Sequence, residues 1–291
     1  MEVVQKILKT KIVRPSGRSS DFILPSIGQG CKGECAYCYA ARHFPDTFYT
    51  KSLISTNIDD IISLVEKQDI SSIVKPNQTH EKYITWDIGC NSDLSFDMFH
   101  FDWQKLFTFF RDSPTHFATF ATKVYNPKFL TFDPLGKVRV RMSLMPERVR
   151  SILEKRTSTT YNRIMGLNAF YNAGYDVHIN FSPVVYYPRM FEDYKELFIT
   201  LDSLLSEGLK SQLKCEVIFL THNAKLHHWN ISNGKEIEEE LLYIPELQEN
   251  KKSEFGGENI RYKMQYKKAL VDKFTRLLNG YLPYCQIRYI F

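Results

Sequence analysis

The chain has 291 residues, 43% hydrophobic and 24% charged, with a formal net charge of +5. That is enough apolar material for one large core or two small ones, while no apolar run reaches the roughly 18–20 residues of a membrane span, and the mild basic excess tolerates a polyanionic partner without requiring one. Residues 1–13 alternate charged and apolar positions with no hydrophobic signal region, and six cysteines are too few for a disulfide framework, so the expected location is the reducing cytoplasm, with no membrane partner.

Short β-rich runs then alternate with helical periodicity along the chain. Residues 22–27 read as a strand leading into the loop Gly30-Cys31-Lys32-Gly33-Glu34-Cys35-Ala36-Tyr37-Cys38-Tyr39. Residues 58–68 carry apolar positions at helical spacing, with Asn57 placed to cap them. A strand over 83–88, a helix over 99–110 and strands over 117–122 and 138–144 follow. Residues 161–172 form a helix that Gly174 stops, with a strand at once over 177–181. A helix over 194–205 and a strand over 216–220 precede a last helix over 262–278 and a closing strand over 286–290. Residues 223–259 break the rhythm: they are polar, contain His227, His228 and Trp229, and read as either a lid or a flexible surface loop.

Strands alternating with helices argue for a parallel sheet with helices outside. About six such units are too few for an eight-fold barrel, so the predicted fold is α/β, a partial (β/α)6 barrel of the TIM type. Its expected divisions are an N-terminal extension over 1–20, the partial barrel over 21–222, and a substrate-facing insertion, helix and closing strand over 223–291. Function in such sheets sits at the C-terminal ends of the strands, which is where the cysteine loop falls.

Cys31, Cys35 and Cys38 have the spacing C-x3-C-x2-C. Three thiolates can hold three irons of a cubane and leave the fourth iron open to a substrate, whereas electron-transfer clusters and structural zinc sites take four protein ligands. Two other readings stay open: a zinc site completed by His43, or a ferredoxin-like cluster completed by Cys90. Cys215 and Cys285 lie in strand-like stretches and read as core. His227 and His228 read as solvated loop residues. Lys263, Lys267, Lys268, Lys273 and Arg276 on the last helix either meet phosphates or form a solvated face.

The cysteine loop, with an aromatic residue before its last cysteine and a strand before it, resembles the radical S-adenosylmethionine superfamily. Within it the chain is similar to the spore photoproduct lyase family along most of its length. The resemblance rests on Cys35-Ala36-Tyr37-Cys38-Tyr39, Gly89-Cys90-Asn91-Ser92-Asp93, Thr122-Lys123, Arg141-Met142-Ser143 and Glu154-Lys155-Arg156-Thr157 followed by Ala173-Gly174-Tyr175. Arg261-Tyr262-Lys263 and Ile287-Arg288-Tyr289 add weaker matches. It implies a radical S-adenosylmethionine type of barrel, a 4Fe–4S cluster on Cys31, Cys35 and Cys38, and bound S-adenosylmethionine. The implied activity is carbon–carbon lysis of a thymine-derived lesion in DNA, with a reductase, flavodoxin or ferredoxin as electron donor.

The same resemblance implies that Cys90 returns a hydrogen atom to the substrate radical and that Tyr37 and Tyr39 relay the radical onward. Ser92, Lys123 and Ser143 are the implied cofactor contacts, and Arg261 and Tyr262 the implied lesion contacts. Read without it, Cys90 is a small buried hydrophobe, the tyrosines shield the loop, and Lys123 is a surface lysine. The chain departs from the superfamily where a Gly-Gly-Glu is common after the second strand, since Gly89-Cys90-Asn91-Ser92 stands there. Only 30 residues precede Cys31, and the match fades after Asn223. A rearrangement of modified thymine in viral DNA, or a non-enzymatic iron–sulfur or zinc-binding module, are the alternative functions.

Overall fold

The computed structural model describes residues 2–6, 12–41, 48–71, 73, 78–252 and 257–291; His43 and residues 254–256 lie outside them. The first strands are β1 (Glu2–Lys6), β2 (Arg14–Pro15), β3 (Phe22–Ile23), β4 (Gly28–Gln29) and β5 (Lys51–Ser55). Then come α1 (Ile58–Lys67), β6 (Ile84–Asp87), α2 (Trp103–Asp112), β7 (His116–Thr122), β8 (Val138–Ser143), α3 (Glu147–Leu153), α4 (Thr160–Asn172) and β9 (Asp176–Val184). The chain continues through α5 (Met190–Leu204), α6 (Glu207–Lys210), β10 (Lys214–Phe219), β11 (Thr221–His222), α7 (Ala224–Ser232) and α8 (Glu236–Leu242). It ends with β12 (Gln248–Lys252), β13 (Glu258–Tyr262), α9 (Met264–Tyr281) and β14 (Gln286–Ile290).

The main sheet runs β14-β10-β9-β8-β7-β6-β3-β2, parallel throughout except for the antiparallel edge strand β2. Its first six parallel strands are the expected βα series, in sequence order, and β14 closes beside β10. The expected strand over 22–27 is split. Pro25, which lacks an N–H, ends β3, and the chain pairs again only at Gly28–Gln29, against β5 in a separate small sheet. The helix expected from 99 starts at Trp103, because Asp102 caps it by accepting from the Lys105 N–H at 3.0 Å. Asn57 precedes α1, but its amide donates to the Asp60 carboxylate at 2.7 Å rather than capping a backbone N–H. Tyr262, read as helical, belongs to β13, where it pairs with Gln248.

Alternation along β8 sends Val138, Val140 and Met142 into the hydrophobic core and leaves Arg139, Arg141 and Ser143 on the other face. The Arg141 guanidinium reaches Asp87 on β6 at 2.6 Å and Glu216 on β10 at 3.3 Å, each two strands from its own. Only the concave side of a strongly curled sheet permits both contacts. The curl brings the last strand near the first: Tyr289 and Ser19 share a hydrogen bond of 2.6 Å, and Arg288 donates to the Gln78 carbonyl at 2.7 Å. Among the described residues no helix is long and apolar enough to cross a membrane.

The segment after Asn223 is neither irregular nor detached. It folds as α7, α8 and the hairpin β12–β13, which pairs with β11, and it packs back on the cysteine loop.

Candidate active site

The cysteine loop is shaped by its first residue. Gly30 has φ +94°, and a side chain there would overlap the Lys51 carbonyl. The Cys31 N–H then donates to the Phe48 carbonyl at 3.2 Å, the Ala36 N–H to the Leu153 carbonyl at 3.0 Å, and the Cys38 N–H to the Cys35 carbonyl at 3.1 Å. All three cysteines are free thiols. Burial pushes each of their pKa values up, so ionising them needs positive charge nearby; Lys123 faces Cys35 and Cys38, and Lys235 at the start of α8 faces Cys38.

Three desolvated thiols on one loop, facing the cations of Lys123 and Lys235, suit three irons of a cluster.

The Glu154-Lys155-Arg156-Thr157 stretch fastens this loop. The Tyr37 hydroxyl donates to Glu154 Oε1, and Glu154 Oε2 pairs with Arg163 at 2.5 Å, both side chains fully buried. Arg163 also donates to the Ser143 carbonyl at 2.9 Å. Lys155 pairs with Glu238 on α8 at 2.5 Å, and Arg156 with Glu34 inside the loop at 2.8 Å. From above, Asn230 of α7 donates to the Ala36 carbonyl at 2.8 Å, and Tyr49 packs on Trp229.

The loop after β6 supplies the opposite wall. Asn91 takes φ +65°, which asparagine tolerates, and its amide donates to Ser26 Oγ at 2.6 Å. Asp93 ties this loop to β7, accepting from the Thr122 hydroxyl at 2.7 Å and the Lys123 N–H at 2.8 Å. Cys90 Sγ accepts from Arg14 Nη2 at 2.9 Å. Burial and Asp87 raise the Cys90 pKa against the opposing pull of Arg14, so it remains an S–H at neutral pH. Tyr39 stands in the open concavity, 61% exposed, within electrostatic reach of both Cys90 and Cys38.

The structure thus gathers Cys31, Cys35, Cys38, Tyr37 and Lys123 with Ser143, whose Oγ accepts from Lys123 Nζ at 3.4 Å. Cys90 lies on the neighbouring wall, within electrostatic reach of Tyr39 at the end of the cysteine loop. Ser92 Oγ is buried over Gly28 and beside the Asp97 carboxyl. Tyr262 is buried, and its hydroxyl accepts from the Tyr186 N–H at 2.8 Å. Arg261, half-buried on the same strand, joins Arg18 and Lys251 around Lys267, whose pKa is lowered by burial and by these three cations. On α9, Lys273 lies 4.0 Å from the centre of the Phe191 ring.

Cys215 and Cys285 are core, as read. The histidines correct the sequence reading: His227 and His228 are on helix α7, not in a loop, and His227 is largely buried against Glu239 at 2.5 Å. Arg14, Arg18 and Lys235 carried no local signal, because each meets the site from a segment remote in sequence.

A family model described as "Spore photoproduct lyase" matches residues 2–291. The curated spore photoproduct lyase of Bacillus subtilis (strain 168) is 24% identical over 217 residues, covering 74% of this chain and 60% of that protein. The matched stretch therefore spans about three-fifths of that relative's length. A solved structure of spore photoproduct lyase complexed with dinucleoside spore photoproduct superposes with a TM-score of 0.84 at 21% identity, covering 99% of this chain and 82% of that one. A double mutant with bound AdoMet and dinucleoside spore photoproduct gives 0.85 at 21% identity over the same shares. The shared architecture is a curled half-barrel of parallel strands.

Proposed function

The chain belongs to the spore photoproduct lyase family, and from that premise we propose that it is a radical S-adenosylmethionine lyase acting on a thymine-derived lesion in DNA. The observation that carries this reading is the meeting, in one concavity, of three desolvated loop thiols and a protonated Cys90, with Tyr39 in reach of both walls. A 4Fe–4S cluster with S-adenosylmethionine, when bound, supplies an electron and a carbon-centred radical that takes a hydrogen atom.

Cys31, Cys35 and Cys38 would hold three irons, and Lys123, Ser143 and Ser92 would receive the methionine and ribose groups of the cofactor. Lys123, beside Cys35 and Cys38, offers a cation to a carboxylate. Cys90 gives its S–H hydrogen atom to the thymine-derived radical. Arg14 aims the sulfur, and Asp87 together with burial keeps the proton on it. Tyr39 would return a hydrogen atom to the Cys90 sulfur and be restored in turn by Tyr37, whose own hydrogen atom would be replaced by the one first taken from the lesion. Glu154 Oε1, already accepting from the Tyr37 hydroxyl, holds the phenol proton while the ring is oxidised. Arg261, Lys267, Arg18 and Lys251 form a cationic patch suited to the DNA backbone, with Tyr262 supporting Arg261 from the core. An external reductase, flavodoxin or ferredoxin delivers the electron.

The test is anaerobic reconstitution followed by incubation with dinucleoside spore photoproduct, S-adenosylmethionine and a reductant. Two thymidines should form, and Cys90→Ala should keep S-adenosylmethionine cleavage while diverting the product. Turnover of a modified thymine but not of the photoproduct would move the substrate assignment; clean repair by Cys90→Ala would remove that residue from the mechanism.

A further inference from the structure

We infer that His222, His227 and Glu239 form a second metal site, for a single divalent transition ion with zinc as the expected occupant, in the cap over the cysteine loop. His222 ends β11, and Asn223 immediately caps α7, accepting from the Lys225 and Leu226 N–H groups. That sharp strand-to-helix join brings His227 back beside His222. Glu239 comes from α8. His227 Nδ1 lies 2.5 Å and His222 Nε2 3.1 Å from the same carboxylate oxygen, Oε2, and all three ligand atoms fall within 4.8 Å of one another.

The carboxylate is the centre of the cluster: Glu239 is 3% exposed, with both imidazoles on its Oε2 and the Asn230 amide on its Oε1. Among the described residues no lysine or arginine pairs with it; its ion-pair partners are the two imidazoles. A divalent cation among the three ligand atoms would neutralise this carboxylate.

Two imidazoles and a carboxylate are a zinc ligand set that keeps one position open. His227, 20% exposed, borders the solvent side from which water would fill it. Around the ligands, Asn230 donates to Glu239 Oε1 and Tyr243 packs on the His227 ring at 4.1 Å. Asn230 also holds the Ala36 carbonyl of the cysteine loop, so the ion fastens the cap to the loop that precedes Cys38. It shares no ligand with the three cysteines and does no chemistry on the lesion.

The experiment measures zinc and iron in the full-length, cluster-reconstituted protein after equilibration with equimolar zinc and dialysis. About one zinc per chain is expected beside about four irons. Zinc-edge X-ray absorption should show nitrogen and oxygen neighbours only. His227→Ala and Glu239→Gln should lower zinc affinity at least about 100-fold, beyond what loss of an outer-shell partner costs, and leave iron bound, whereas His228→Ala keeps the zinc. A wild-type chain without zinc, a sulfur shell around it, or zinc unchanged in both ligand variants would overturn the inference. Loss of iron alone would strike the proposed function and leave this site standing.

Discussion

Asp97 is buried next to Ser52 and near Ser92, and burial raises its carboxyl from the ordinary 3.8 to about 7. In the unfolded chain the group titrates near its ordinary value, so the folded state binds the proton more tightly. The strain is therefore absent below about pH 4, grows as pH rises, and levels off above 7, where it amounts to about 4 kcal/mol. Asp97→Asn should raise the melting temperature most at pH 8, with the gain shrinking toward pH 4; identical melting at pH 8 would contradict this. Glu154 is the opposite case, an ionised carboxylate held by Arg163 and accepting from Tyr37. Glu154→Gln should cost about 3–5 kcal/mol by stranding a buried guanidinium. Adding Arg163→Met should restore part of it, a coupling that a double-mutant cycle in denaturant measures. The sequence exposed Glu154 through its motif, but its partners Tyr37 and Arg163 meet it only in the fold.

Among the elements, the cysteine loop depends most on one backbone angle. Gly30 combines φ +94° with a side-chain direction filled by the Lys51 carbonyl, whereas Gly136, at φ +71°, faces open space. Gly136→Ala should cost only the left-handed strain of about 1–2 kcal/mol. Gly30→Ala should cost more and also reduce iron uptake on reconstitution; equal stability losses in the two variants would show that the Lys51 contact is dispensable. Helices with strong punctuation were legible: Gly174, at φ +84°, ends α4 as read. The false start at Phe99 came from apolar spacing alone. The Ser95 N–H donates to Asp93 Oδ1 at 3.1 Å in a turn before it, and the stronger cap signal lies at Asp102. Tyr262 misled because an apolar strand position abuts α9 with only one residue between them.

For the whole molecule, closure rests on Arg288. From β14 it pairs with Glu216 at 2.6 Å and reaches the Gln78 and Ser19 carbonyls near the first strand of the sheet. Arg288→Met should destabilise by about 3–5 kcal/mol, because Glu216 keeps Arg141 but loses its second cation; chemical denaturation would show it, and an unchanged midpoint would mean that the side chains merely follow the curl. The cationic patch gives a solution prediction at the same scale. Arg261→Gln should weaken binding to any DNA duplex and flatten the salt dependence of the affinity by about one unit of slope, read by titration at two ionic strengths. By itself the sequence determined the alternation of strands and helices, the spacing of the three cysteines and the family, since periodicity and motif spacing are local properties of the chain. The tertiary structure decided what the curl and the cap bring together. Arg14 meets Cys90, Lys235 meets Cys38, and His222 and His227 meet Glu239, because burial and charge compensation act between side chains that are neighbours in space rather than along the chain.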